Sequence, residues 1–232
     1  MIPPKLKTIA RFAGDFARGV LDPRGRMRST FAPFYANNLW GDSESVSGPG
    51  SNLARTSKLR TELPALLKEL DTRTMIDAPC GDFNWMKETN LEVEQYLGID
   101  IIPDLISRNQ SLYGNGRRQF QLRDLTRDDL PRVDVILCRD CFIHFSYKHV
   151  GAALKNFKRS RSTYLLTNTY PRWPENTNIR TGEFRHLNLL LPPFNFPPPL
   201  KQIDEKPGDE QAEFYGKTLG LWKLADLRSG AV

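Results

Sequence analysis

From Asp71 onward the chain alternates short apolar runs with longer amphipathic segments, and this alternation restricts the fold more than any other feature of the sequence. The runs are "TMIDA", "QYLGID", "RQFQLRDL", "VDVILCRD" and "STYLLTNT", joined near the end by "LKQIDE" and "LGLWKLADL". Between them lie helix candidates, of which "IPDLISRNQSLYG" and "YKHVGAALKNFKRS" are the clearest. Strands that alternate with helices build a parallel sheet wound on both faces. The last two runs have little helix between them and read as a closing hairpin. The sequence thus predicts an α/β fold with a doubly wound, mostly parallel seven-stranded sheet, preceded by an N-terminal helical extension.

Ahead of the sheet the character of the chain changes. The formal net charge is +6. Most of the excess sits near the start, where Lys5, Lys7, Arg11, Arg18, Arg24, Arg26 and Arg28 outnumber Asp15 and Asp22. Leu6, Ile9, Ala13, Phe16 and Val20 fall at helical spacing, which predicts an amphipathic helix with a basic face. Such a face can be a solvated lid on the domain or a surface that meets an anionic partner. "NNLWGDSESVSGPGSN" reads as loop, and Leu59, Leu63, Leu66, Leu67 and Leu70 then mark a helix that Pro64 should kink or begin. Residues 1–50 are therefore expected to be a basic extension and loop, and 51–232 the folded domain. One further tract stands out, "LLLPPFNFPPPL", whose prolines forbid helix and central strand and predict a stiff, extended surface segment.

In an open parallel sheet, ligands bind beyond the carboxyl ends of the strands, where strand order reverses. Three of the predicted strands end in an acid: Asp77, Asp100 and Asp124. Asp77 is followed by a turn containing Gly81, where a missing side chain lets another group approach the backbone. Asp100 lies about twenty residues past that turn, where an acid takes the ribose hydroxyls of a nucleoside. A dinucleotide fingerprint needs three glycines and a helix start aimed at phosphate. Only Gly81 is available, and Asp82 adds negative charge there, so NAD is disfavoured. Each acid alone could be a simple helix cap; together they favour a positively charged nucleoside without phosphate.

These residues carry a family resemblance. From about residue 51 the chain resembles the class I S-adenosylmethionine-dependent methyltransferases, in particular small bacterial-type members whose first motif reads D-x-P-C-G-D-F. The usual D-x-G-x-G-x-G is met at Asp77 and Gly81, with Pro79 and Phe83 in place of two glycines. The resemblance implies a Rossmann-like methyltransferase fold with S-adenosyl-L-methionine as cofactor. It further implies that Asp77 and the backbone of Ala78, Pro79, Cys80 and Gly81 face the methionine portion, Asp100 and Ile101 the ribose, and Asp124 with Leu125 the adenine. Arg139, directly after the fourth strand, is placed beside the methyl group.

The acceptor side is less constrained. Asp140 and His144 share a face if a helical turn begins after the fourth strand, so that the carboxylate could orient the imidazole or both could touch an acceptor hydroxyl. His186 is the alternative base. The segment "TNTYPRWPENTNIRTGEFRHLNL" mixes Asn168, Tyr170, Trp173, Asn178, Arg180, Arg185 and Asn188 with that histidine, a mixture suited to a sugar, a glycan or another polyhydroxylated acceptor. Gly48, Gly50 and Ser51 could meet the cofactor carboxylate through backbone amides. The expected activity is methyl transfer to a small polar acceptor, with an RNA or protein acceptor, or a catalytically inactive cofactor-binding scaffold, as alternatives. Nucleic acid is disfavoured because no stripe of basic and aromatic residues crosses the core. Cys80, Cys138 and Cys141 are expected to be buried thiols and point to a reducing compartment such as the cytoplasm. No metal-ligand spacing and no membrane-spanning apolar run are present, and the oligomeric state is left open.

Overall fold

The computed structural model describes residues 25–205 and 216–227. The predicted basic helix around Leu6 to Val20 lies outside them. Seven strands form one sheet: β1 Thr74–Asp77, β2 Gln95–Asp100, β3 Arg118–Leu122, β4 Val135–Cys138, β5 Tyr164–Thr169, β6 Lys201–Asp204 and β7 Thr218–Lys223. Their order is β3-β2-β1-β4-β5-β7-β6. β1 pairs in parallel with both β2 and β4, and β2 with β3 and β4 with β5 likewise, whereas β7 runs antiparallel to β5 and β6. All seven apolar runs are strands, and the last two form the expected antiparallel pair.

The central strands β1, β4, β5 and β7 are almost wholly buried because both faces of the sheet are covered there, whereas the edge strands β3 and β6 are largely polar. Alternate residues point to opposite sides. Ile76, Ile136, Cys138, Leu165 and Trp222 belong to one core, and Met75, Val135, Leu137, Leu166, Leu219 and Leu221 to the other. Among the described residues, four α-helices flank or precede the sheet: α1 Gly25–Ala36, α2 Ser57–Glu69, α3 Pro103–Tyr113 and α4 Tyr147–Arg159. α2 sends Leu59, Leu63, Leu66 and Leu67 into the second core; α4 sends Val150, Ala153 and Phe157 into the first. Pro64 lies inside α2, which continues past it instead of starting there.

Two departures from regular winding shape the ligand edge. No α-helix follows β3; the chain reaches β4 through a coil that α4 holds, since the buried Asn156 amide donates to Leu125 O at 2.9 Å and Asp128 O at 2.8 Å. Nor does a helix follow β5. The proline tract occupies that place, and it is a surface segment only in part: Pro192, Asn195, Pro197, Pro198 and Leu200 are exposed, but the tract also feeds the core. Leu189, Phe194 and Phe196 are buried in the first core, with Phe196 edge-on to Trp222 at 5.4 Å. Prolines forbid regular structure but not burial, and apolar residues between them still seek the core.

Candidate active site

The sheet order reverses beside β1, which has β2 on one side and β4 on the other. A cavity of about 320 Å³ opens there, along the carboxyl ends of five parallel strands. Asp124 and Leu125 reach it from β3, Asp100 and Ile101 from β2, Asp77, Pro79, Cys80 and Gly81 from β1, and Arg139, Asp140 and His144 from β4. The three strand-end acids, expected to form one rim, do line one cavity. Ala78 is fully buried beneath it, with its N–H donating to Leu137 O at 2.8 Å.

Each acid is held differently. Asp77 is buried and accepts a 2.6 Å hydrogen bond from the Tyr96 hydroxyl. Burial pushes its carboxyl up to about 7, although Tyr96 and the Arg139 charge pull the other way. Asp100 accepts from the backbone N–H of Ile101 at 2.6 Å, Ile102 at 3.1 Å and Gly81 at 3.2 Å. Burial still raises it above the usual carboxylate range. Asp124 accepts from Thr126 N–H at 2.9 Å and pairs with Arg127 at 3.2 Å. Two buried acids that resist ionisation beside one cavity favour a cationic ligand, whose charge would offset the cost of their own. A sulfonium nucleoside fits this rim; a pyrophosphate does not.

Over the rim lies a strap, residues 45–51, and it explains the acid and the glycine of the first motif. Asp82 accepts from Ser45 Oγ at 2.9 Å, Val46 N–H at 3.0 Å and Ser47 Oγ at 3.2 Å, while its own N–H donates to Ser47 Oγ at 2.8 Å. Gly81 has φ +56°, and a Cβ there would lie 2.4 Å from Ser47 Oγ. The bare backbone thus makes room for the strap as well as lining the cavity. Phe83, standing where a glycine is usual, also has a positive φ of 61°; its ring is buried against Tyr96 and Phe120 at 5.4 Å and 5.1 Å. Across the cavity the strap meets Asp140, whose Oδ2 would be 2.6 Å from a Cβ on Gly50. The amides of Gly48 and Ser51, expected to face a carboxylate, instead donate to Ser45 O and Gly48 O at 3.0 Å and 2.9 Å.

The β4 end carries a set of charges that the sequence did not reveal, three of them buried and the fourth, Asp140, half-buried at the cavity. Arg139 forks onto Glu205 through Nε at 3.0 Å and Nη2 at 2.7 Å, and reaches Asp140 at 3.1 Å. Lys217 lies 2.7 Å from Asp140 and 3.2 Å from Glu205. Asn168 ties the set together, accepting from Asp140 N–H at 2.6 Å and donating to Glu205. Two cations and two anions cancel. Burial alone would raise Asp140, but Arg139 and Lys217 hold it down at about 2, so it stays ionised and paired. It is a poor proton acceptor.

Asp140 also does not orient His144. The turn after β4 is a short 3₁₀ helix, Phe142–His144, and the imidazole donates from Nδ1 to Glu183 O at 3.0 Å. That bond leaves Nε2 as the unprotonated nitrogen of a neutral ring. Burial lowers the pKa of the ring, against the opposing pull of the Glu183 carbonyl and Asp140. The segment after β5 is laced to this turn: Gly182 N–H donates to His144 O at 2.8 Å and Arg185 N–H to Ile143 O at 3.0 Å. His186 packs among Tyr170, Trp173 and Phe184 at 4.7, 4.4 and 5.3 Å between ring centres, and is not among the cavity-lining residues.

Several polar side chains of that segment bind backbone, either within the segment or on the turn after β4 and the start of α4. Asn178 accepts from Tyr147 N–H, Arg185 donates to Phe145 O, and Asn188 donates to Pro171 O and Trp173 O. From this segment Tyr170 and Phe184 line the cavity, and α1 with its following turn adds Met27, Phe31, Tyr35 and Trp40. Cys80, Cys138 and Cys141 are buried free thiols, as expected. Among the described residues, no cluster of three or more His, Cys, Asp or Glu could hold a metal, and no helix is long and apolar enough to cross a membrane.

No protein-family model and no curated protein sequence matches this chain. Solved structures do resemble it. The N-methyltransferase NodS from Bradyrhizobium japonicum, in complex with S-adenosyl-L-homocysteine, superposes with a TM-score of 0.57 at 12% identity, over 82% of this chain and 97% of that one. The Burkholderia thailandensis 1,6-didemethyltoxoflavin-N1-methyltransferase gives 0.55 at 15% identity, over 84% and 86%. The methyltransferase domain of bacterial CtHen1 gives 0.54 at 16% identity, over 74% and 98%. At such identities the likeness is one of architecture, and the chain has the Rossmann-like methyltransferase fold.

Proposed function

We propose that this protein is an S-adenosylmethionine-dependent methyltransferase acting on a hydroxyl of a small polar acceptor. The observation that carries the reading is the convergence of Asp77, Asp100, Asp124 and His144 on one cavity at the reversal of strand order. The cavity volume suits a small molecule. Asp100 would take the ribose hydroxyls, Asp124 and Leu125 the adenine, and Asp77 with the turn at 78–81 the methionine end. When bound, the cofactor supplies an electrophilic methyl group on a cationic sulfur. His144 Nε2 accepts the hydroxyl proton, and the strap, fastened by Asp82, keeps water from the cavity. Arg139 and Asp140 shape the β4 end as members of a neutral charge cluster. A sugar or glycan hydroxyl was the acceptor expected from the polar groups after β5, but Asn178 and Asn188 are engaged with backbone, Arg185 reaches Phe145 O through Nη1, and none of the three lines the cavity, so they offer that reading little support.

Calorimetric titration with S-adenosylhomocysteine tests the reading. The wild type should bind one equivalent, and Asp100→Ala should weaken binding by roughly tenfold to a hundredfold, the value of hydrogen bonds to a charged acceptor. NAD should not bind. A protein that binds no S-adenosylhomocysteine, or binds it equally well without Asp100, is not what we describe.

A further inference from the structure

The wall around His144 narrows the acceptor beyond a hydroxyl. The imidazole lies 6.0 Å from the Trp40 ring and 5.8 Å from the Phe184 ring, and all three side chains line the cavity. The aromatic surface continues through Trp40 to Phe34 at 5.1 Å, and Phe31 packs at a tilt against Phe145 at 5.9 Å on the same wall. Phe184 leaves 52% of its surface exposed, an apolar area at the cavity edge that a flat ligand would cover. A polyhydroxylated ring here would strand its hydroxyls against carbon, at about 1–3 kcal/mol for each left unpaired. A planar ring would gain stacking contacts instead.

We propose that the acceptor is a planar aromatic hydroxyl compound of the phenol or enol class, seated against Trp40 and Phe184 with its hydroxyl on His144 Nε2. This rests on the methyl-transfer reading above. The acid–base chemistry agrees with the shape. A half-buried, weakened imidazole withdraws a proton far more readily from a phenol, whose pKa is about 10, than from a much less acidic sugar alcohol. The phenol O–H bond breaks as its proton passes to Nε2, and the oxygen lone pair forms the new bond to the methyl carbon of S-adenosylmethionine. The carbon–sulfur bond breaks with its electron pair retained by sulfur, leaving neutral S-adenosylhomocysteine, and the imidazolium returns its proton to solvent.

The test titrates the full chain, saturated with S-adenosylhomocysteine, with catechol, 1-naphthol and 4-nitrophenol, and in parallel with methyl glucoside and myo-inositol. The phenols should bind saturably and the sugars should not. Trp40→Ala and Phe184→Ala should each weaken phenol binding by about tenfold or more while keeping S-adenosylhomocysteine affinity, which shows that they fold. His144→Ala should retain phenol binding but lose at least about a hundredfold in methylation rate with labelled S-adenosylmethionine, together with its rise through the histidine titration range. Phenols that fail to bind, or that bind regardless of both rings, overturn the acceptor class while leaving the cofactor reading intact. Loss of S-adenosylhomocysteine binding in the wild type overturns both.

Discussion

Asp77→Asn should make the ligand-free protein more stable, and by an amount that depends on pH. Asp77 is 3% exposed, with the Tyr96 hydroxyl as its hydrogen-bond donor, and burial pushes its carboxyl up to about 7. In the unfolded chain an aspartate titrates near 3.9. The folded state therefore holds this proton more tightly. Stability is fully present below about pH 4, is lost as pH rises toward 7, and levels off above it, where the total loss is roughly 4 kcal/mol. An asparagine keeps an acceptor for Tyr96 but has no charge to bury. Any fixed packing cost of the amide is the same at every pH, so the variant-minus-wild-type difference isolates the titration. Between pH 5 and pH 8 that difference should grow by about 2–3 kcal/mol, which moves the relative urea midpoint by about 1 M. Unfolding of both proteins followed by tryptophan fluorescence at the two pH values measures it. Saturating S-adenosylmethionine should narrow the gap, because a cation beside Asp77 favours the ionised wild type. A gap that is the same at both pH values refutes the argument.

Other perturbations have equally definite outcomes. Lys217→Met leaves Asp140 and Glu205 sharing Arg139 alone in a buried setting, and should cost about 3–5 kcal/mol in thermal or chemical unfolding. Gly81→Ala forces a side chain onto a φ of +56° and into Ser47 Oγ, so it should destabilise by about 1–3 kcal/mol and weaken S-adenosylhomocysteine binding by displacing the strap. Ser47→Ala removes the hydroxyl that both donates to Asp82 and accepts from its N–H; S-adenosylhomocysteine affinity should fall about tenfold, with a smaller change in the unfolding midpoint.

The sheet was legible because its information is local. Each strand announces itself as a short apolar run, and the acids at 77, 100 and 124 follow from the chain leaving the core at the same edge. The antiparallel end was legible too, from the missing helix before "LGLWKLADL". What the sequence hid depends on distant pairing. Glu205 and Lys217 look like ordinary charges at strand ends, and only the fold brings them to Arg139 and Asp140, 66 and 77 residues away. In the same way Asp82 read as a repulsive charge in the glycine turn, because nothing local shows that Ser45 and Ser47 will fold back onto it. The polar segment after β5 misled for a related reason. Amides and guanidinium groups serve ligands or their own backbone equally well, and a long connection without helix or strand has many backbone groups to satisfy. The aromatic residues of 27–40, which cover the mouth, lie in a part of the chain whose charge pattern drew attention away from its rings.

A crystal structure of the chain with S-adenosylhomocysteine tests the central claim most directly. The account predicts the ribose hydroxyls within about 2.6–3.0 Å of the Asp100 carboxylate, adenine against Leu125, and the sulfur on the side of the cavity facing His144. A nucleoside lying away from Asp100, or one whose sulfur points toward Asp124, would contradict it.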